Sequence, residues 1–199
     1  MRRRALLLAA PVVAAGCNPL AQPFPEKTMF VLEARRPERL PPNPRGRLLV
    51  VRSVTPGPGA EQRGLITRLP GGQQRIDFWN EFFSPPPALV QDQLRQWLAD
   101  SGLFAAVVDP GTRAAPQLAL EPVLTALFAD AAESPTVARV QMQTLILGLE
   151  RSPPRVIAQA EHDRRAQIAS LAPATIVAGF NVVLAAIFAE IEASFRAVA

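Results

Sequence analysis

The last third of the chain constrains the fold most. Residues 118–128, 137–149 and 155–168 read as three strands, and 175–198 as a long helix. In the first strand Leu118, Leu120, Pro122, Leu124, Ala126 and Phe128 recur at every second position, which lines one face of a strand. Proline has no N–H for the ladder, so Pro122 is expected at an edge or a bulge. In the helix, Ile176, Phe180, Val183, Leu184, Ile187, Phe188, Ile191 and Phe195 make a wide apolar stripe. Asn181, Glu190, Glu192 and Arg196 argue against a membrane span. A helix with such a stripe packs on a sheet.

The preceding residues supply the partners. Residues 47–54 are rich in β-branched and aliphatic side chains and run into Pro56-Gly57-Pro58-Gly59, which reads as a buried strand and a loop. Residues 65–69 and 73–83 flank Pro70-Gly71-Gly72 as a hairpin. In its second arm Arg75, Asp77 and Trp79 alternate with Ile76, Phe78 and Asn80. Ser84 is placed as the N-cap of a helix carrying Leu89, Val90, Leu94, Trp97 and Leu98, closed by Ser101 and Gly102. Residues 104–108 follow as a short strand. The expected fold is α/β of the α+β kind: a mainly antiparallel mixed sheet with two main helices packed on one face, as a single-domain sandwich. Hydrophobic residues make up 49% of the 199, enough for a packed core.

The N-terminus has a different character. Arg2, Arg3 and Arg4 precede an apolar run over 5–15, too short for the about 20 residues of a spanning helix. Together they read as an export signal. Ala14-Ala15-Gly16 then leads into Cys17, the only cysteine. This resembles the bacterial lipobox, in which the cysteine is diacylated and becomes the new N-terminus. Ala14 stands where that pattern prefers Leu or Val. The expected organisation is a signal peptide over 1–16, a lipidated Cys17 with a proline-rich tether over 17–45 and an edge strand near 29–34, and an α/β domain over 46–199. Asn18 after the anchor favours the periplasmic face of the outer membrane over the inner membrane.

Charge and composition exclude several function classes. The formal charge of +4 falls to +1 once the three leading arginines are removed, and the other cations are interspersed with Asp and Glu. That leaves no electrostatic case for nucleic acid. Metal sites need several ligands, and the chain has one Cys and one His, so neither a metal nor another cofactor is expected. Glu161-His162-Asp163 is the densest polar cluster. Alternation sends Glu161 and Asp163 to one face and His162 to the other, and an exposed charged strand segment is the expected reading. No nucleophile elbow or phosphate loop is present, no catalytic residue is assigned, and an enzyme is not expected. Phe78, Trp79, Phe82 and Phe83 belong to a run that holds four of the twelve Phe and Trp residues. Their commoner role is core beneath the first helix; their functional role would be a patch that meets a partner or lipid.

Several stretches carry a resemblance. They are the lipobox, the proline-rich tether, the buried strand and the hairpin with an aromatic second arm. Phe83-Ser84-Pro85-Pro86 follows, leading into Leu89-Val90-Gln91-Asp92-Gln93-Leu94. Then come Leu98-Ala99-Asp100-Ser101-Gly102-Leu103-Phe104, and finally Ala178-Gly179-Phe180-Asn181-Val182-Val183-Leu184 through Ile191. In this order they resemble the ABC-type transport auxiliary lipoproteins, which include the paraquat-inducible protein C type. Phe83 and Phe195 stand where that pattern usually has Trp. The resemblance implies an α/β sandwich and a non-catalytic role beside an ABC permease and ATPase and a periplasmic MCE-domain protein that move lipids or other hydrophobic molecules. The lipoprotein would dock the MCE component at the membrane, held there by its N-terminal lipid. Only Cys17 carries over as a functional residue, as the acylation site, and a homo-oligomer is left open. Two other readings stand beside it: a lipid-binding carrier with its own cavity between sheet and helices, and a periplasmic enzyme.

Overall fold

The computed structural model describes residues 26–197. Cys17 and the export signal lie outside them. The architecture is a mixed α/β single domain, with nine strands in one sheet and two main helices. Its spine is β7 (Leu118–Asp130), a thirteen-residue strand. On one side β7 pairs antiparallel with β8 (Val137–Gly148), which pairs antiparallel with β9 (Arg155–Gln167). These long pairings make the sheet mainly antiparallel by length.

The other side of β7 is built from short pieces. β2 (Leu48–Val51), β3 (Thr55–Pro56) and β4 (Gly64–Arg68) pair with it in succession, all parallel to it. β6 (Ala106–Val108) extends the sheet beyond β2. β5 (Gln74–Phe82) extends it beyond β4 as the antiparallel arm of the hairpin, and β1 (Thr28–Phe30) closes that edge parallel to β5. Pro122 therefore sits neither at an edge nor in a bulge. The carbonyls of Leu120 and Leu124 accept from Arg52 and Gly57 on this side, so the missing N–H of Pro122 faces the gap between β2 and β3.

Helix α1 (Pro86–Ala99) starts after Pro85, and Ser84 is not its cap. Pro86 and Pro87 carry no N–H, so two of the donors that a cap would satisfy do not exist, and Ala88 donates to the Pro85 carbonyl. Helix α2 (Pro173–Arg196) is long and apolar enough, by composition alone, to cross a membrane. In the domain its stripe packs on β8 and β9. Gly179 sets the closeness of that approach: a Cβ there would come within 2.6 Å of Ile168 Cγ2 and 2.7 Å of Ala138 Cβ. Phe82, Phe180, Phe188, Phe195, Leu94 and Leu98 fill the layer between sheet and helices. Edge contacts of Phe188 with Trp97 and of Phe195 with Phe104 tie α2 to α1 and the loop after it.

The proline-rich segment from Thr28 onward lies on the domain. Leu32 and Ala34 are buried, Leu40 N–H donates to the Asp100 carbonyl, and Asn43 N–H donates to that of Phe104. Prolines favour an extended path without demanding backbone partners, and this path runs across the helices.

Candidate functional site

The aromatic run is not an uninterrupted strand. β5 pairs with β4 at Ile66–Ile76 and again at Gly64–Glu81, so β4 advances two residues while β5 advances five. The surplus is folded into a turn held by one side chain. Asp77 Oδ1 accepts from the backbone N–H of Trp79 at 2.8 Å and of Asn80 at 3.0 Å, and Asp77 Oδ2 accepts from Asn80 Nδ2 at 3.0 Å. Burial pushes the Asp77 carboxyl up, but these three hydrogen bonds outweigh it and hold the group below the ordinary aspartate value. Gly64 makes room beneath, because a Cβ there would lie 2.5 Å from the Asp77 carbonyl oxygen.

The turn lifts Phe78 and Trp79 off the sheet. Phe78 is 65% exposed and Trp79 41%. Their rings stack edge to face with centroids 5.0 Å apart, and Lys27 Nζ stands 4.4 Å over the Phe78 ring. Lys27 also pairs with Glu81 at 3.3 Å. Phe83 is 62% exposed, just past the strand. Of the four aromatic residues singled out by sequence, Phe82 alone is core: it is 1% exposed and packs against Phe180. The core reading is thus corrected for Phe78, Trp79 and Phe83, and the surface reading for Phe82. The missed signal was Asp77 three residues before Asn80, the spacing of a side-chain-held turn, inside an apolar run.

The polar cluster at 161–163 divides as alternation dictates. Glu161 and Asp163 are exposed, and Arg139 with Gln141 holds Asp163 below the ordinary aspartate value against the opposing effect of burial. His162 departs from the exposed reading: it is 4% exposed, beneath α2. Its Nδ1 lies 2.9 Å from Glu190 Oε2 and its Nε2 3.1 Å from Thr144 Oγ1. Arg164 Nε takes the other Glu190 oxygen. Hydroxyl, imidazole and carboxylate in this order have the connectivity of an activated nucleophile. Thr144 is itself buried, so no reacting carbonyl reaches its hydroxyl without displacing α2. The three groups bind β8 and β9 to the helix. No cluster of three or more metal-ligating side chains occurs among the described residues.

A second buried network fixes the N-terminal segment. Glu192 of α2 is buried on the apolar stripe. Arg36 donates to both its oxygens, Nε at 3.1 Å and Nη2 at 3.0 Å; Trp97 Nε1–H donates at 2.8 Å and Arg196 at 2.6 Å. Burial pushes the Glu192 carboxyl up, and the bonds from Arg36 and Trp97 with the nearby guanidinium charges bring it below the ordinary value of 4.5. At the end of β7, buried Asp130 is held by Arg68 of β4 and accepts the Ala132 N–H at 3.1 Å.

No protein-family model and no curated protein matches the sequence. Solved structures match its fold. Protein XCC0632 from Xanthomonas campestris, of family DUF330, superposes with a TM-score of 0.69 at 18% identity, over 85% of this chain and 97% of that one. An uncharacterized protein gives 0.63 at 16% identity, over 87% and 99%. The hypothetical protein CT253 from Chlamydia trachomatis gives 0.52 at 9% identity, over 74% and 96%. At these identities the likeness is one of fold.

Proposed function

We propose that the chain is a lipid-anchored accessory protein that works by contact, as the outer-membrane auxiliary lipoprotein of an ABC-type, MCE-associated transport system for lipids or other hydrophobic molecules. The observation that carries a contact role is the exposed pair Phe78–Trp79, which the half-buried Asp77 carboxylate holds away from the core. The lipobox at Cys17 supports a place at a membrane, and the order of motifs from Phe83 to Ile191 supports the transport family. Those motifs serve the fold itself: Leu94, Leu98 and Phe180 are core, and Gly179 seats α2 on the sheet. In this reading the protein brings the periplasmic MCE component to the membrane and carries out no reaction of its own.

The space between sheet and helices is filled by side chains, which leaves the accessory role ahead of a carrier with an internal cavity. The test is capture from the native envelope after mild cross-linking. Recovery of an MCE-domain protein with ABC permease or ATPase subunits is the expected result, and recovery of none of them rejects the transport assignment. Cys17→Ser in the full chain should leave the domain folded and release it from the membrane fraction.

A further inference from the structure

The exposed apolar side chains are not scattered. Of nine large ones among the described residues, Met29, Val31, Ile76, Phe78, Trp79 and Phe83 belong to β1, β5 and the residues that directly follow them. Met29 pairs with Glu81, and Phe83 lies two residues beyond Glu81, so Met29 and Phe83 share the face opposite buried Phe82. Lys27, two residues before Met29, reaches Glu81 and the Phe78 ring from the same side. Aromatic and apolar side chains with one adjacent ammonium form the side-chain set that settles at the boundary between headgroups and acyl chains.

The chain enters the domain at this same edge. β1 begins at Thr28 beside Asn80, directly against the aromatic turn. Cys17 precedes Lys27 by ten residues, and ten residues span at most about 35 Å when fully extended. An acylated Cys17 therefore holds the β1–β5 edge within about 35 Å of the leaflet that carries its acyl chains, and this is the edge at which the tether joins the sheet.

We infer that the β1–β5 edge is a second membrane contact, with Phe78 and Trp79 inserted at the interface of the phospholipid leaflet and Met29 and Phe83 lying against it. This rests on the acylation of Cys17 in the proposed function. Two attachments, lipid and aromatic turn, fix the orientation of the domain where one would leave it free to swivel. They leave the helices and β9 turned to the periplasm for the protein partner.

The experiment uses the full-length protein purified with its lipid and reconstituted into phosphatidylethanolamine–phosphatidylglycerol vesicles, with and without brominated acyl chains. The two tryptophans make it specific, because Trp97 is buried and Trp79 is not. In the brominated vesicles the Trp79 emission should be lost and iodide should no longer reach it. Trp79→Phe, which leaves Trp97 as the only emitter, should show no quenching by bromine. Protein that floats with the vesicles but keeps its full Trp79 emission overturns the membrane contact and leaves the anchor standing. Shielding from iodide without bromine quenching means that a protein, such as a second copy, covers the edge, and also overturns it. Protein that does not float, with an unmodified N-terminal peptide by mass, overturns the anchoring and this inference with it.

Discussion

The inner face of α2 and the β1–β5 edge break the same rule in opposite directions. Beneath α2 the chain buries Glu192 and His162, groups that water would normally hold. At the β1–β5 edge it exposes Phe78, Trp79 and Phe83, which the core would normally hold. The first departure is compensated. Every buried side-chain nitrogen and oxygen among the described residues has a hydrogen-bond partner, and Glu192 alone receives donors from the N-terminal segment, α1 and α2. Among the described residues the second is offset only by the edge-to-face pair of Phe78 and Trp79 and the Lys27 ammonium over Phe78, which leave all three rings open to solvent. Asp77 enforces it. A violation that the fold itself satisfies is part of the architecture; one that the fold maintains and leaves unsatisfied points to something outside the domain.

That contrast gives a ranked set of expectations. Glu192→Ala should cost the most, about 3–5 kcal/mol in urea unfolding, because it takes the acceptor from Arg36 Nε and Nη2 and from the buried Trp97 N–H. The same carboxylate makes stability depend on pH. Its folded value lies below its unfolded value near 4.5, so its contribution is complete above that pH and is lost as the pH falls below it. Urea midpoints should therefore drop on acidification in this range, and Glu192→Gln should flatten the drop. A remainder is expected from Asp77 and Asp163, whose values are lowered in the same sense.

Gly179→Val comes next, at roughly 1–3 kcal/mol, since its side chain meets Ile168 and Ala138 at the helix–sheet seam. Asp77→Ala should cost about 1 kcal/mol through the freed N–H groups of Trp79 and Asn80, and Trp79 fluorescence anisotropy should fall as the turn loosens. Trp79→Ser should change the urea midpoint least, within about 0.5 kcal/mol, because little of what the ring touches belongs to the core. A larger loss there would erase the contrast between the two regions and return the aromatic pair to a packing role.

Much of this fold was legible in the sequence. The three long strands and both helices were legible with bounds within about two residues; β7, β8 and the two helices bury one face along most of their length, while β9 buries only His162. The short strands β2 and β4 were visible only as apolar runs, and β3 falls at Thr55–Pro56, where the strand was expected to give way to a loop. Their parallel succession along β7 is a tertiary fact that no local pattern encodes. His162 was read as exposed because its neighbours in sequence are charged, whereas its surroundings are set by α2 across the sheet. Glu192 had a readable signal: it falls at helical spacing between Phe188 and Phe195, on the apolar stripe. At the aromatic run, alternation failed because a side chain, Asp77, replaced the ladder that alternation presumes.

The central claim is that the domain meets the membrane through the β1–β5 edge. The most direct test is a photo-crosslinking side chain at position 79 of the full-length protein in native envelopes, with one at the exposed position 182 on α2 as the comparison. The account predicts phospholipid adducts from position 79 and none from position 182. Adducts from position 79 to protein alone would contradict it.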